Sequence, residues 1–362
     1  LTDIGADFNM STAETGMLIS IYAWVVMTMS LPLMILASRM EMRRLMLTLI
    51  ATFALFQFMS SISTSFYMLL AARIGVAFAH SVFWSIVSPM AARIVSERYR
   101  PLALSIVCSG ASIAMVFGMP IGRMIGLMLG WRMTFLTIGI VAVATFIYMF
   151  LTLPVVPSRG KFSVKKLPML FKNKPLMGIF ILTIFFATSY YTCYSYIEPF
   201  MKQITGMSDS LVTASLMAFG ASGIAGSFAF SKFYNAHRFS FLTILLAIIA
   251  ACIFLVLPAS FSIEVTFAVL ALWGFAGTAF NVAMQDEIIK FAPQDGTAVA
   301  MSIFSGIFNF GIGTGAFIGG LVCTNLSLSY VGIVGGFIAL GTLAYWLMKL
   351  KGYMKVFYSS RG

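Results

Sequence analysis

Apolar runs of about 20 residues recur from one end of this chain to the other, each long enough to cross a ~30 Å hydrocarbon core as a helix. Nothing constrains the fold more, because a backbone inside lipid must satisfy its own N–H and C=O groups. Eleven runs can be read between charged or Pro/Gly-marked ends, near 15–38, 45–61, 67–92, 102–129, 133–153, 176–200, 211–231, 240–258, 265–288, 297–323 and 328–348. Only 9% of the 362 residues are charged and 60% are hydrophobic, against roughly 25% charged for a soluble protein. No water-facing surface can be assembled from that composition, and an all-α integral membrane fold is expected.

Orientation follows from the basic residues. One side of the spans receives Arg39, Arg43, Arg44, Arg93, Arg98, Arg100, the six from Arg159 to Lys174, Lys232, Arg238, Lys290, Lys349, Lys351, Lys355 and Arg361, which is 19 of the 23 Lys and Arg. The other side carries Asp3, Asp7, Asp209 and Glu264. By the positive-inside rule the basic side is cytoplasmic, and the C-terminus lies there. The net charge of +12 sits in short loops and builds no basic face with interleaved aromatics, so orientation in a bilayer explains it better than a nucleic-acid partner. Cys108, Cys193, Cys252 and Cys323 all fall inside spans without paired spacing, which argues against a disulfide framework or a metal site. Eleven spans with a cytoplasmic C-terminus put Leu1 outside, and the acidic stretch to Glu14 reads as an external loop. A first transmembrane helix is therefore expected ahead of this sequence, making twelve.

The longest polar interruption, 154–175, holds six basic residues and no acidic one. It divides the chain into an N-terminal half, 1–153, and a C-terminal half, 176–362. With the expected first helix the count becomes six plus six, the layout of a transporter built from two related halves. Gly118, Gly122 and Gly126 repeat at Gly311, Gly315 and Gly319 with a constant offset of 193 residues, and glycine at every fourth position lets helix backbones approach closely.

Residues 110–135 read GASIAMVFGMPIGRMIGLMLGWRMTF. The spaced glycines, Pro120 and the closing Gly-Trp-Arg resemble the fifth-helix antiporter motif of the major facilitator superfamily, in its drug:proton antiporter branch. ARIGVAFAHSVFWSI (72–86) and YTCYSYIEPF (191–200) resemble the SotB-type bacterial sugar efflux transporters. The resemblance implies a bacterial inner-membrane protein of the major facilitator fold that exports sugars or related solutes, monomeric and without a cofactor. Two departures stand out. The loop after the first apolar run keeps only the final basic pair, Arg43 and Arg44, of the family's Asp-Arg…Gly-Arg-Arg pattern, and Val76 and Ala77 replace the Gln and Gly that usually follow the intramembrane arginine, here Arg73.

An ionisable group inside a span costs roughly 2.5–3.5 kcal/mol on insertion scales, so each needs a partner or a wet cavity. Arg73 and His80 lie seven residues apart on one helix face, Arg123 lies a turn or two inside its span, and Glu198 lies beside Pro199. Glu198 reads either as an interfacial residue or as a carboxylate paired to Arg123 or Arg73 across the two halves. His80 reads either as a neutral histidine bonded between helices or as the proton-linked site. The second reading is preferred, since histidine switches charge near neutral pH and transporters of this layout bind near the midplane. Tyr191, Ser195 and Glu198, with Tyr194 alongside, follow helical spacing and form a hydroxyl-rich stripe; Thr278, Asn281 and Gln285 form another, and Asn309 lies in the tenth run. Interhelical hydrogen bonding and the lining of a polar cavity both account for these groups. Trp84 could stack on an apolar sugar face or simply pack.

Proton-coupled sugar efflux is thus the leading expectation and multidrug:proton antiport the alternative. A repacking aromatic and Met-rich pocket would favour drugs, while several fixed hydrogen-bonding groups would favour a sugar. A membrane-embedded enzyme would need a clustered nucleophile, metal ligands or a carboxylate pair at membrane depth, and of these only His80 is even a candidate.

Overall fold

A computed structural model describes residues 2–37, 40–96, 103, 106–107, 110, 113–155, 167–292 and 297–359. Among the described residues every regular element is helical, and ten helices are long and apolar enough to cross a membrane. The chain is a multi-pass membrane protein. Part of the fourth expected run, including Cys108, lies outside the described residues, as do Arg39, Arg98, Arg100 and the basic residues from Arg159 to Lys166.

The chain folds into two compact units. The first comprises Leu1–Thr2, Ser11–Ser20 and Val164–Gly362; the second comprises Asp3–Met10 and Ile21–Ser163. In the second unit a short α1 (Thr2–Phe8) precedes α2 (Thr12–Ala37), whose opening turns group with the first unit. There follow α3 (Met42–Ser61), α4 (Phe66–Ile94), α5 (Met119–Leu129) and α6 (Trp131–Thr152). Helix α3 packs on both α4 and α6, and α5 packs on α6.

Side-chain oxygens start α3 and α4. Glu41 accepts the Arg43 N–H at 3.2 Å ahead of α3, and Ser65 accepts the Met68 N–H at 3.3 Å ahead of α4, satisfying donors that the first turn leaves open. Five residues before α5, Ala114–Gly118, form a π turn rather than the straight helix expected over 102–129. Pro120 explains it: proline cannot donate to the carbonyl four residues back and its ring crowds that carbonyl, so the preceding turn widens. Gly130 joins α5 to α6 at φ +89°, a conformation that an L side chain rarely adopts.

The residues after Gly130 tie down one end of the unit. Arg132 Nη1 pairs with Asp7 at 2.7 Å, its Nη2 donates to the Ser63 carbonyl at 2.8 Å, and the guanidinium stacks 4.3 Å from the Trp131 ring. At the far end of α6 Arg43 donates to the Phe150 carbonyl at 2.7 Å. The two guanidiniums close both ends of the α3/α6 packing.

The first unit runs through α7 (Lys174–Tyr194), α8 (Ile197–Gln203), α9 (Asp209–Ala259), α10 (Ile263–Phe291), α11 (Thr297–Asn325), α12 (Val331–Tyr345) and α13 (Lys351–Ser359). Helix α7 is central, against α11 and α12, while α9 packs along α10 and α12. Asn173 accepts the Leu176 N–H at 3.1 Å and donates to the Phe291 carbonyl at 2.9 Å, starting α7 and pinning the end of α10 with one side chain.

The runs 211–231 and 240–258 are two separate spans, the arms of α9, which meet at a kink at His237 (φ −131°, ψ 34°). Two expected boundaries shift. The last run continues past residue 348 through a π turn, Trp346–Leu350, into α13. The run 176–200 is broken at Ser195 and Tyr196, because Pro199 has no N–H for the Ser195 carbonyl and its ring crowds that oxygen.

Candidate functional site

In the second unit Arg73 and His80 meet at a residue that spacing alone did not single out. The Tyr22 hydroxyl on α2 hydrogen-bonds His80 Nδ1 on α4. The Arg73 guanidinium lies 4.8 Å from the centroid of the same Tyr22 ring and 5.5 Å from that of Phe135. One tyrosine thus holds both members of the i, i+7 pair, its ring facing the arginine and its hydroxyl the histidine. Cation–π contact supplies Arg73 with a negative surface where lipid-facing side chains offer none.

The Tyr22–His80 bond can be read in either protonation state. With neutral His80 protonated at Nε2, Nδ1 accepts the phenol hydrogen; with imidazolium, both ring nitrogens donate and the phenol oxygen must accept. In that tautomer protonation reverses the bond, and in either tautomer it sets a second positive charge on the helix face that carries Arg73. Trp84, one turn beyond His80, is half-exposed, with Phe83 edge-on at 5.6 Å. His80 and Trp84 share a largely apolar cavity of about 360 Å³ with side chains of α3 and α6 such as Phe53 and Thr145. Arg123 lies on α5, partly buried, and Glu198 on α8 of the first unit.

In the first unit Tyr191 and Tyr194 of the YTCYSY stretch join a ring cluster. Tyr194 stacks on Phe219 at 4.9 Å and meets Tyr191 edge-on at 5.8 Å, and Tyr191 meets Phe308 of α11 edge-on at 6.2 Å. Beneath them Tyr190 lies 4.9 Å from Trp273, which is fully buried and whose indole N–H has no hydrogen-bond partner among the described residues. Ser195 keeps helical dihedrals and the chain departs from them at Tyr196 (φ −115°, ψ 11°), so Tyr191, Ser195 and Glu198 do not form one continuous helix stripe. Spacing arithmetic assumes a straight helix through Pro199, and the proline breaks it.

The second stripe keeps its register on α10. Gln285 Nε2 donates to Asn281 Oδ1 at 2.6 Å, and both residues are partly exposed. The bond orients the pair and leaves the Asn281 amide N–H groups and the Gln285 carbonyl oxygen as further donors and acceptor. Thr278 lies close against α9, where a Cβ built on Gly223 would meet its hydroxyl at 2.5 Å. Asn309 is buried and donates to the Ser305 carbonyl at 2.9 Å.

The glycine triplets differ in their surroundings. A Cβ at Gly311 would fall 3.1 Å from the Ile184 carbonyl oxygen, at Gly315 2.5 Å from that of Thr188, and at Gly319 2.6 Å from that of Thr192. Helix α11 therefore lies backbone to backbone on α7 for two turns. Among the described residues a Cβ at Gly122 would meet the Thr134 side chain at 3.4 Å, one at Gly126 the same side chain at 3.3 Å and the Trp131 Cα at 4.0 Å, and one at Gly118 nothing within 4 Å. Pro120, beside them, is buried at the start of α5. No group of three or more His, Cys, Asp or Glu side chains able to hold a metal comes together among the described residues.

The sequence pattern of the Major Facilitator Superfamily matches residues 1–305. Among solved structures, a bacterial homolog of the human lysosomal transporter Spinster, inward-facing and unoccupied, superposes with a TM-score of 0.78 at 16% identity, over 97% of this chain and 92% of that one. The inward-facing, occupied form of the bacterial Spinster homolog gives 0.75 at 16% identity, over 98% and 93%. The human organic anion transporter MFSD10 (TETRAN) gives 0.72 at 14% identity, over 92% and 83%. At these identities the likeness is one of fold.

Proposed function

The chain belongs to the major facilitator superfamily, and from that premise we propose that it is a secondary active transporter exporting sugars or related small polar solutes by proton antiport. The proposal includes alternating access, a C-terminus on the cytoplasmic side of a bacterial inner membrane, and a monomer. The observation that carries it is the Arg73–Tyr22–His80 constellation, an intramembrane arginine and histidine joined by one tyrosine. Protonating His80 makes Nδ1 the donor in its bond to Tyr22, whichever neutral tautomer precedes it, and brings a second positive charge near Arg73. The two protonation states thus favour different arrangements of α2 and α4, and proton occupancy can bias a transport cycle only through such a difference. Glu198 and Arg123 are the further charges assigned to this switching.

The substrate class rests on α10 and α7. The Asn281–Gln285 pair is pre-oriented with donors and an acceptor to spare, suited to a ligand hydroxyl, and the Tyr191 and Tyr194 faces suit the apolar side of a sugar ring. Asn309 and Ser195 complete the polar set, and Trp84 supplies an indole face beside His80. The ring cluster of Tyr190, Tyr191, Tyr194, Phe219, Trp273 and Phe308 favours a second reading, a planar lipophilic drug as cargo. Proteoliposomes loaded with a panel of labelled sugars or with a planar dye, given an imposed pH gradient, separate the two. Sugar efflux that collapses with the gradient supports the first reading, dye efflux alone the second, and flux indifferent to pH overturns the coupling.

A further inference from the structure

A second polar cluster lies in the first unit, centred two residues beyond Gln285 on α10. Glu287, near the end of α10, has no exposed surface, yet carries a carboxylate. Groups from three parts of the chain converge on it. Tyr234, from the first arm of α9, donates its hydroxyl to Oε1. Arg238 Nε lies 2.9 Å from the same oxygen. Tyr358, from α13, donates to Oε2 at 2.8 Å. The Arg238 guanidinium also lies over the Tyr358 ring, 3.9 Å from its centroid, and 5.3 Å from that of Tyr234.

The positions of these partners matter more than their number. Arg238 directly follows His237, the one residue of α9 with non-helical geometry, so its guanidinium sits at the joint of the two arms. Helix α13 covers the carboxylate from the other side, with Met354 wholly buried and Phe357 against Phe291 at 4.5 Å. A single carboxylate therefore ties together the end of α10, the joint of α9 and the C-terminal helix. A change of angle at the joint that moves Arg238 also moves the ring stacked on it, and with it the Tyr358 hydroxyl. Stripping partners from a buried carboxylate is strongly unfavourable, so the helix and the joint must shift in concert.

We propose that α13 is a latch, closed over Glu287 and released when the two arms of α9 change their angle. Its release during transport rests on the transport reading above; the closed latch does not. Replacing Met354 by Cys, with the native cysteines changed to Ala or Ser in the full chain, gives a thiol that a maleimide reaches only when α13 lifts. Tyr353→Cys, on the exposed side of the same helix, should label quickly throughout and reports that the helix is folded. Tyr358→Phe keeps the ring beneath Arg238 and removes only the bond to the charged oxygen, so labelling at position 354 should quicken about tenfold or more. In vesicles, the rate at 354 should also differ between inward and outward pH gradients. Equal rates with Tyr and Phe at position 358 would show that the bond does not hold the helix. Equal rates under both gradients would show that α13 is a static part of the unit. Neither readout requires an identified cargo, so either failure is distinct from a failure of the efflux assay.

Discussion

At the residue scale, Tyr22 decides what the intramembrane charges can do. Its hydroxyl and ring address His80 and Arg73 separately, so substitutions can part the two contacts. His80→Ala should leave solute binding largely intact while flattening the pH dependence of efflux. Tyr22→Phe retains the ring facing Arg73 and removes the hydroxyl, and should displace the pH profile without abolishing transport. Efflux rates from proteoliposomes across a pH series measure both, and a wild-type profile in His80→Ala would reduce that histidine to a packing group. Asn281→Ala removes the acceptor for Gln285 as well as the donors assigned to cargo. Losing a hydrogen-bonded group of this kind is worth about 1–3 kcal/mol, so a rise of roughly tenfold in the half-saturating sugar concentration is expected. A planar dye should be transported unchanged by that variant if the rings alone bind it.

At the scale of elements, the two glycine triplets share a spacing and differ in what faces them. Gly315→Ala places a methyl group 2.5 Å from the Thr188 carbonyl oxygen, and α11 must move off α7 to admit it. Overpacking of this kind costs about 1–3 kcal/mol, readable as a lowered midpoint in thermal unfolding of the purified protein. Gly118→Ala meets no neighbour among the described residues and should leave that midpoint nearly unchanged. Equal losses in both variants would show that the contrast between the helices is wrong. The Ser195–Tyr196 break belongs to this scale too. Tyr196 is fully buried there, its hydroxyl donating to the Ala316 carbonyl at 2.8 Å, so the same break that ends α7 fastens it to α11.

At the scale of the whole molecule, the membrane dictates more than any single contact. Each unit is a bundle whose spans keep many apolar side chains on the outside, such as Ile140, Val141 and Leu151 along α6, where lipid rather than water is the neighbour. The asymmetry of Lys and Arg leads us to place the basic ends in the cytoplasm. A cysteine at the exposed Lys172, between the two halves of the sequence, should therefore resist a membrane-impermeant maleimide added to intact cells and react once the membrane is opened. Ready labelling from outside would invert the assigned topology.

The all-helical membrane fold was legible in the chain because bilayer thickness and backbone satisfaction leave little freedom: an apolar run of about 20 residues has one inexpensive conformation in lipid. Arg73 and His80 could be seen to share a helix face for the same reason, since a regular helix turns spacing into geometry. Tyr22 could not be found that way, being 58 residues from His80 and on another helix. Nor could the convergence of Tyr234, Arg238 and Tyr358 on Glu287, which depends on how α9, α10 and α13 pack. Spacing also misled where proline intervened, at Ser195 and before Pro120, because a missing N–H and a crowded carbonyl end the regularity on which counting relies. Composition and local pattern determined the helical, membrane-spanning character of the chain; which side chains meet was decided by tertiary packing, where partners far apart in sequence satisfy one another's charge and hydrogen bonds away from water.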